Sequence, residues 1–115
     1  MKDKKDFVYH IISENEWMSV KNEKQYYATS LENEGFIHFS FQQQVKDVAT
    51  RFYAGQNDLL LLKISVSKLE SPLKIDEVEN DGKFPHLYGP LNLDSVIGTY
   101  PLIREINNSF SWQEG

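Results

Sequence analysis

The stretch from Asp58 to Val66 carries Leu59-Leu60-Leu61-Leu62 and Ile64 with a single lysine, and turn-forming residues precede it. A run this short and this apolar reads as a central strand buried on both faces. It needs a hydrogen-bonded neighbour along each edge and apolar cover over each face. The chain therefore has to build a layered sheet. The four leucines are also far too few to cross a bilayer, which takes about 20 apolar residues.

The neighbours are legible on both sides of that run. Phe7-Val8-Tyr9-His10-Ile11-Ile12 is β-branched and aromatic and reads as a strand. Ser13 and Glu16 stand at capping-box spacing, which starts a helix that carries Trp17 and Val20 inward. Tyr26 to Ser30 reads as extended or loop. Leu31 to Glu34 makes one helical turn, stopped by Gly35. Phe36 to Ser40 alternates as a short strand, with Phe36, His38 and Ser40 on one face and Ile37 and Phe39 on the other. Phe41, Val45, Val48, Ala49 and Phe52 form one helical stripe, with Ser40 and Gln43 as its capping box and Gly55 at its end. Leu73 to Val78 alternates as a strand that groups Leu73, Ile75 and Glu77. Asn80-Asp81-Gly82 is a turn. Phe84 to Pro90, with two prolines and a glycine, reads as an ordered loop. Ser95 to Tyr100 is a last strand stopped by Pro101, and the tail from Asn107 is polar apart from Phe110 and Trp112. The order β-α-(α)-β-α-β-β-loop-β predicts an α+β domain with a mixed or antiparallel sheet. At 115 residues the chain is one domain, 1–115.

Composition narrows the function classes. There is no cysteine, which excludes disulfides, a thiolate nucleophile and Cys-based metal sites. A net charge of -5 disfavours nucleic acid or an anionic membrane as partner. The charged start, Met1 to Asp6, does not have the pattern of a secretion signal, so the expectation is a cytoplasmic protein. The phosphate loop, dinucleotide fingerprint, zincin and nucleophile-elbow motifs are missing.

What remains is where three histidines fall. Tyr9-His10-Ile11, Ile37-His38-Phe39 and Pro85-His86-Leu87 each set an imidazole among large apolar groups, where burial demands a hydrogen-bond partner or lowers the pKa. Each can be a satisfied core residue or part of a site. Glu77 points toward a cleft or lies at a sheet edge in water. The segment from Phe84 to Leu91 presents His86 and Tyr88 on a rigid loop, which either walls a binding site or plugs the core. Ser40 either caps a helix or meets a ligand at the helix end. The functional expectation is that His10, His38, Glu77, His86 and Tyr88 converge on one concave site, with Ser40 nearby. The spacing of the histidines gives no support to a three-histidine metal site. A phosphoesterase with paired H-x-[ST] motifs finds one copy in His38-Phe39-Ser40, but His86-Leu87-Tyr88 ends in the wrong hydroxyl.

Two longer blocks carry a resemblance. Ser30-Leu31-Glu32-Asn33-Glu34-Gly35-Phe36-Ile37-His38-Phe39-Ser40 and Phe84-Pro85-His86-Leu87-Tyr88-Gly89-Pro90-Leu91 resemble the SL-x-x-x-GFIH-x-S and FPH-x-YGPL signatures of an uncharacterised bacterial and plant family, domain of unknown function nine-five-two. Tyr9-His10-Ile11 and Asp58 to Leu62 resemble its opening and DL-x-LL strands, so the likeness spans residues 8–102 and leaves 107–115 as a polar tail. The resemblance implies a fold similar to the ADP-ribosyltransferases, a curved and split sheet with flanking helices around an NAD-binding cleft. It implies no established reaction. By that likeness His10 takes the place of the first-strand histidine that holds the NAD ribose, with Ile11-Ile12 where Gly and Ser/Thr usually follow. Glu77 takes the place of the late-strand glutamate that stabilises an oxocarbenium-like transition state, and His38 and Ser40 replace the middle motif. The implied roles are catalytic for Glu77, His10 and His86, and ligand-binding for His38, Ser40 and Tyr88. NAD is a possible substrate, and no resident cofactor is implied. The alternative is a non-catalytic ligand- or protein-binding module on the same scaffold.

Overall fold

The structure, a computed structural model, describes residues 6–114; most of the charged start read above therefore lies outside the described residues. The expected central strand is β4 (Leu59–Ser65), antiparallel to β1 (Phe7–Ser13) on one edge and β8 (Val96–Arg104) on the other. Leu59, Leu61, Leu62 and Ile64 are all buried, as a strand covered on both faces requires. β9 (Phe110–Ser111) extends this sheet beyond β8. A second sheet has the order β3 (Ile37–His38), β6 (Gly82–Leu87), β5 (Leu73–Val78). β2 (Gln25–Tyr26) pairs with β7 (Leu91–Asn92). Every strand pair among the described residues is antiparallel, so the sheet is not mixed. The fold is α+β with a curled antiparallel sheet.

The helices are short. Ser13 Oγ accepts the Glu16 amide at 3.1 Å and starts α1 (Glu14–Val20), as the spacing predicts. α2 (Thr29–Glu34) ends at Gly35, whose φ of 90° needs no Cβ. α3 (Val45–Phe52) lays Val45 and Ala49 on the core, but it begins later than the stripe suggests. Ser40 does not cap it. Backbone bonds tie Ser40 to Tyr9 instead, and Gln44 Oε1 takes the Phe41 amide after a 3-10 turn over Gln42–Gln44.

Two other expectations are corrected. Phe84 to Leu87 is strand, not loop. Pro85 is tolerated there because its carbonyl accepts the Phe39 amide and its missing N–H falls where β3 is ending. Pro101 does not stop β8, which runs through it opposite Leu60. The tail also packs. Phe110 is buried with Tyr9, Leu61 and Leu102, and Glu114 accepts bonds from Tyr9, Gln42 and Lys63.

Among the described residues one backbone bridge joins the two larger sheets. Tyr9 and Ser40 exchange two backbone bonds of 2.8 Å, an isolated bridge between β1 and the residues after β3. Away from that bridge the strands part, and a cleft opens between them.

Candidate functional site

The cleft has a volume of about 530 Å³. Its walls are mostly aromatic and aliphatic, with Tyr26, Phe39, Phe52, Tyr53 and Phe84 among them. Of the residues singled out from sequence, His10, His38, Ser40 and His86 all line it.

His10 sits at the split. Its Nδ1–H donates to the His38 carbonyl at 2.8 Å, so the ring reaches across from β1 to β3 and satisfies a carbonyl that no strand partner serves. The bond fixes the neutral tautomer and leaves Nε2 as an acceptor. No group among the described residues bonds that nitrogen, and no buried side-chain nitrogen or oxygen among them lacks a partner, so Nε2 is open to the cleft. Burial holds the imidazole below its ordinary pKa, outweighing the upward pull of the His38 carbonyl and of Glu16. Phe39 meets the ring edge-on and Tyr26 lies tilted against it, each 5.8 Å away between centroids.

Glu16 is the cleft carboxylate that sequence reasoning missed. Its spacing marks it only as a capping-box partner of Ser13, yet its side chain turns inward from the first turn of α1. The Tyr26 hydroxyl donates to its Oε2 at 2.7 Å. Burial first, and then this carboxylate, raises the pKa of Tyr26 and of Tyr53. A glutamate on the core-facing side of an amphipathic helix, ahead of Trp17 and Val20, was the signal available for it.

His86 and His38 meet across the β3–β6 pair. They are register partners on β6 and β3, with ring centroids 5.4 Å apart and planes at 76°. His86 is buried, stacks on Phe36 at 4.1 Å, and donates Nδ1–H to Asp76 Oδ2 at 2.9 Å. His38 is half-exposed and bonds Glu34 through Nε2 at 3.0 Å.

Glu77 does not join them. It is exposed, pairs in register with Lys83, and lies on the opposite face of β5 from His86. The predicted alternation of Leu73, Ile75 and Glu77 holds, but only Leu73 packs on the core, while Ile75 and Glu77 run out past its edge. Asp76, one residue earlier, takes the inner position. Tyr88 does not line the cleft. It stands behind His86, and its hydroxyl donates to Asp76, a bond that lowers the Asp76 pKa and raises that of Tyr88.

The profile of a family described as "Protein of unknown function (DUF952)" matches residues 11–99. The chain belongs to the DUF952 family. A crystal structure of protein CC0527 from Caulobacter crescentus is similar to it, with a TM-score of 0.81 and 28% identity over 91% of this chain and 93% of that one. The solution structure of the same protein gives 0.78 and 28% over 90% of each chain. No protein of curated function matches. DUF952 membership agrees with both signature blocks, and those blocks supply His38 and His86, the facing pair of the cleft. No helix among the described residues is long and apolar enough to cross a membrane.

Proposed function

We propose that this DUF952 protein binds a ribonucleotide of the NAD or ADP-ribose class, with the nucleoside inside the cleft. The observation that carries this is the pair of acceptors at His10 and Glu16. His10 Nε2 has a lone pair open to the cleft, and Glu16 has a carboxylate oxygen beyond the one that Tyr26 uses. Two acceptors among aromatic walls select a ligand that offers two hydrogen-bond donors next to a flat ring. The vicinal hydroxyls of a ribose and its attached base have that form. The proposed kinship with ADP-ribosyltransferases is supported by the parting of β1 from β3, which puts the cleft where a split sheet opens. Ribosyl transfer through Glu77 loses support, because Glu77 lies outside the cleft. Binding without transfer is the better reading of these residues, and Glu16 is the carboxylate that any chemistry at the ribose would use.

The test is calorimetric titration with adenosine, NAD and ADP-ribose beside 2′,3′-dideoxyadenosine. Adenosine should bind and the dideoxy analogue should lose tenfold or more, because a hydrogen bond to a charged group contributes about 1.5–3 kcal/mol. Glu16→Gln should narrow that gap. Equal binding of the two nucleosides overturns the proposal.

A further inference from the structure

Resting on that nucleotide reading, we propose that His38 and His86 form an acid–base pair that hydrolyses a phosphodiester held beside them in the cleft. The two rings are brought edge to face by the β3–β6 register, 48 residues apart in sequence, and both line the cleft. Each has one nitrogen committed to a carboxylate and one left over. His86 gives Nδ1–H to Asp76, so its Nε2 is the acceptor, and Phe36 stacked on the ring fixes its direction. His38 bonds Glu34 through Nε2, so in its protonated form Nδ1–H is the donor. Two imidazoles side by side, each with one nitrogen left over, suit a reaction in which one takes a proton while the other gives one.

The charge pattern orients the substrate. No lysine or arginine lines the cleft among the described residues, and its lining includes Glu16 and His10, whose burial disfavours a positive charge. Arg51 lies beside the cleft residue Asp81, but its guanidinium is held by that carboxylate at 2.7 Å and by Asp47. A phosphate is repelled from the neighbourhood of Glu16 and finds hydrogen-bonding partners at the two histidines. The charged and titratable groups around the pair are Glu34, Asp76, Tyr88 and Lys74, whose ammonium sits over the Tyr88 ring.

In the step, His86 Nε2 takes a proton from water as the water oxygen bonds to phosphorus. The phosphorus–oxygen bond to the leaving alcohol breaks, and His38 Nδ1 gives that oxygen its proton. One phosphodiester and one water become a phosphomonoester and an alcohol. Asp76 is a positioning residue that stabilises the imidazolium formed on His86.

The full chain is incubated with 2′,3′-cyclic AMP and, separately, with bis(4-nitrophenyl) phosphate, which needs no nucleoside pocket. Wild type should open the cyclic ester to a monophosphate. His86→Asn and His38→Asn should each lower the rate a hundredfold or more, the scale of one general acid or base, with the circular dichroism of the fold retained. His38 is half-exposed, so its variant keeps the test valid if the His86 variant folds poorly. Asp76→Asn should reduce the rate and shift the pH–rate profile. A cyclic nucleotide that raises the melting temperature but is not hydrolysed overturns the acid–base pair and leaves nucleotide binding standing. Cleavage of the nitrophenyl ester by wild type alone, with no nucleotide bound, keeps the pair and overturns the nucleotide reading. Variants as active as wild type, or no cleavage of either ester, overturn the pair.

Discussion

His10 donates its Nδ1–H to the backbone carbonyl of His38, so one side chain spans the gap where β1 and β3 part. The bond couples the split of the sheet to the tautomer of a cleft imidazole. Removing it affects fold and site together, and the effects can be separated by pH.

His10→Phe keeps a ring of similar shape but leaves the His38 carbonyl without its donor. Leaving a buried acceptor unpaired costs about 1–3 kcal/mol. Because the folded His10 titrates below its ordinary value of 6.5, the unfolded chain binds more protons as the pH drops past that value. Its contribution is present above pH 6.5 and is lost as the pH falls. Denaturant melts between pH 8 and pH 5 should show the variant less stable at the top of the range and with a shallower slope below pH 6.5. Parallel curves for the two proteins contradict the neutral assignment.

The C-terminal segment is structural. Phe110 is 2% exposed in the cluster with Leu61 and Leu102. Phe110→Ala should cost about 3–5 kcal/mol, the usual range for a buried aromatic, read from the urea midpoint. A loss under about 1 kcal/mol would show that the segment is dispensable.

Glu114 links that segment to the sheet. Burial pushes its carboxyl up, but bonds from Lys63, Tyr9 and Gln42 prevail and hold it below the ordinary carboxylate range. A depressed carboxyl stabilises the fold above its unfolded value and loses that contribution as the pH falls through the folded one. Wild type should therefore lose stability below about pH 4.5 faster than Glu114→Gln does. Chemical denaturation at pH 3, 4 and 6 checks the difference, and identical acid limbs argue against the latch.

Asp76 and Glu77 are neighbours with opposite expectations. Glu77→Gln, at an exposed position, should shift stability by no more than about 0.5 kcal/mol and leave adenosine binding unchanged. Asp76→Asn removes the carboxylate that fixes His86, and nitrogen NMR of the imidazole should show a changed tautomer ratio. An unchanged His86 spectrum would mean that Asp76 does not hold the ring.

Gly89 has φ of 154°, and a Cβ there would lie 2.5 Å from Ser71 Oγ, which itself donates to the Pro90 carbonyl. Gly89→Ala should destabilise by about 1–3 kcal/mol through that collision together with the positive φ, which disfavours any Cβ. Pairing it with Ser71→Gly removes the collision but neither the positive φ nor the loss of the bond to Pro90, so the double variant should recover only part of the loss, which a thermal melt measures.

The sequence by itself determined the elements whose reason is local. The apolar run at Leu59–Leu62 must be a covered strand, Ser13 with Glu16 must start a helix, and Gly35 must end one, because burial, capping and backbone freedom act within a few residues. Sequence also marked His10, His38 and His86, since an imidazole among apolar neighbours stands out in any register. What only the tertiary structure decided was which face of each strand meets which. Period-2 alternation grouped Glu77 with Leu73 and Ile75 correctly, yet it carries no information on where the core stops, and β5 runs past that edge. The same limit hid Asp76 behind His86 and Glu16 beneath Tyr26. It also concealed the strand at Phe84–Leu87, because whether a proline breaks a ladder depends on which neighbour its missing N–H faces. That neighbour is chosen by strand pairing between residues far apart in the chain.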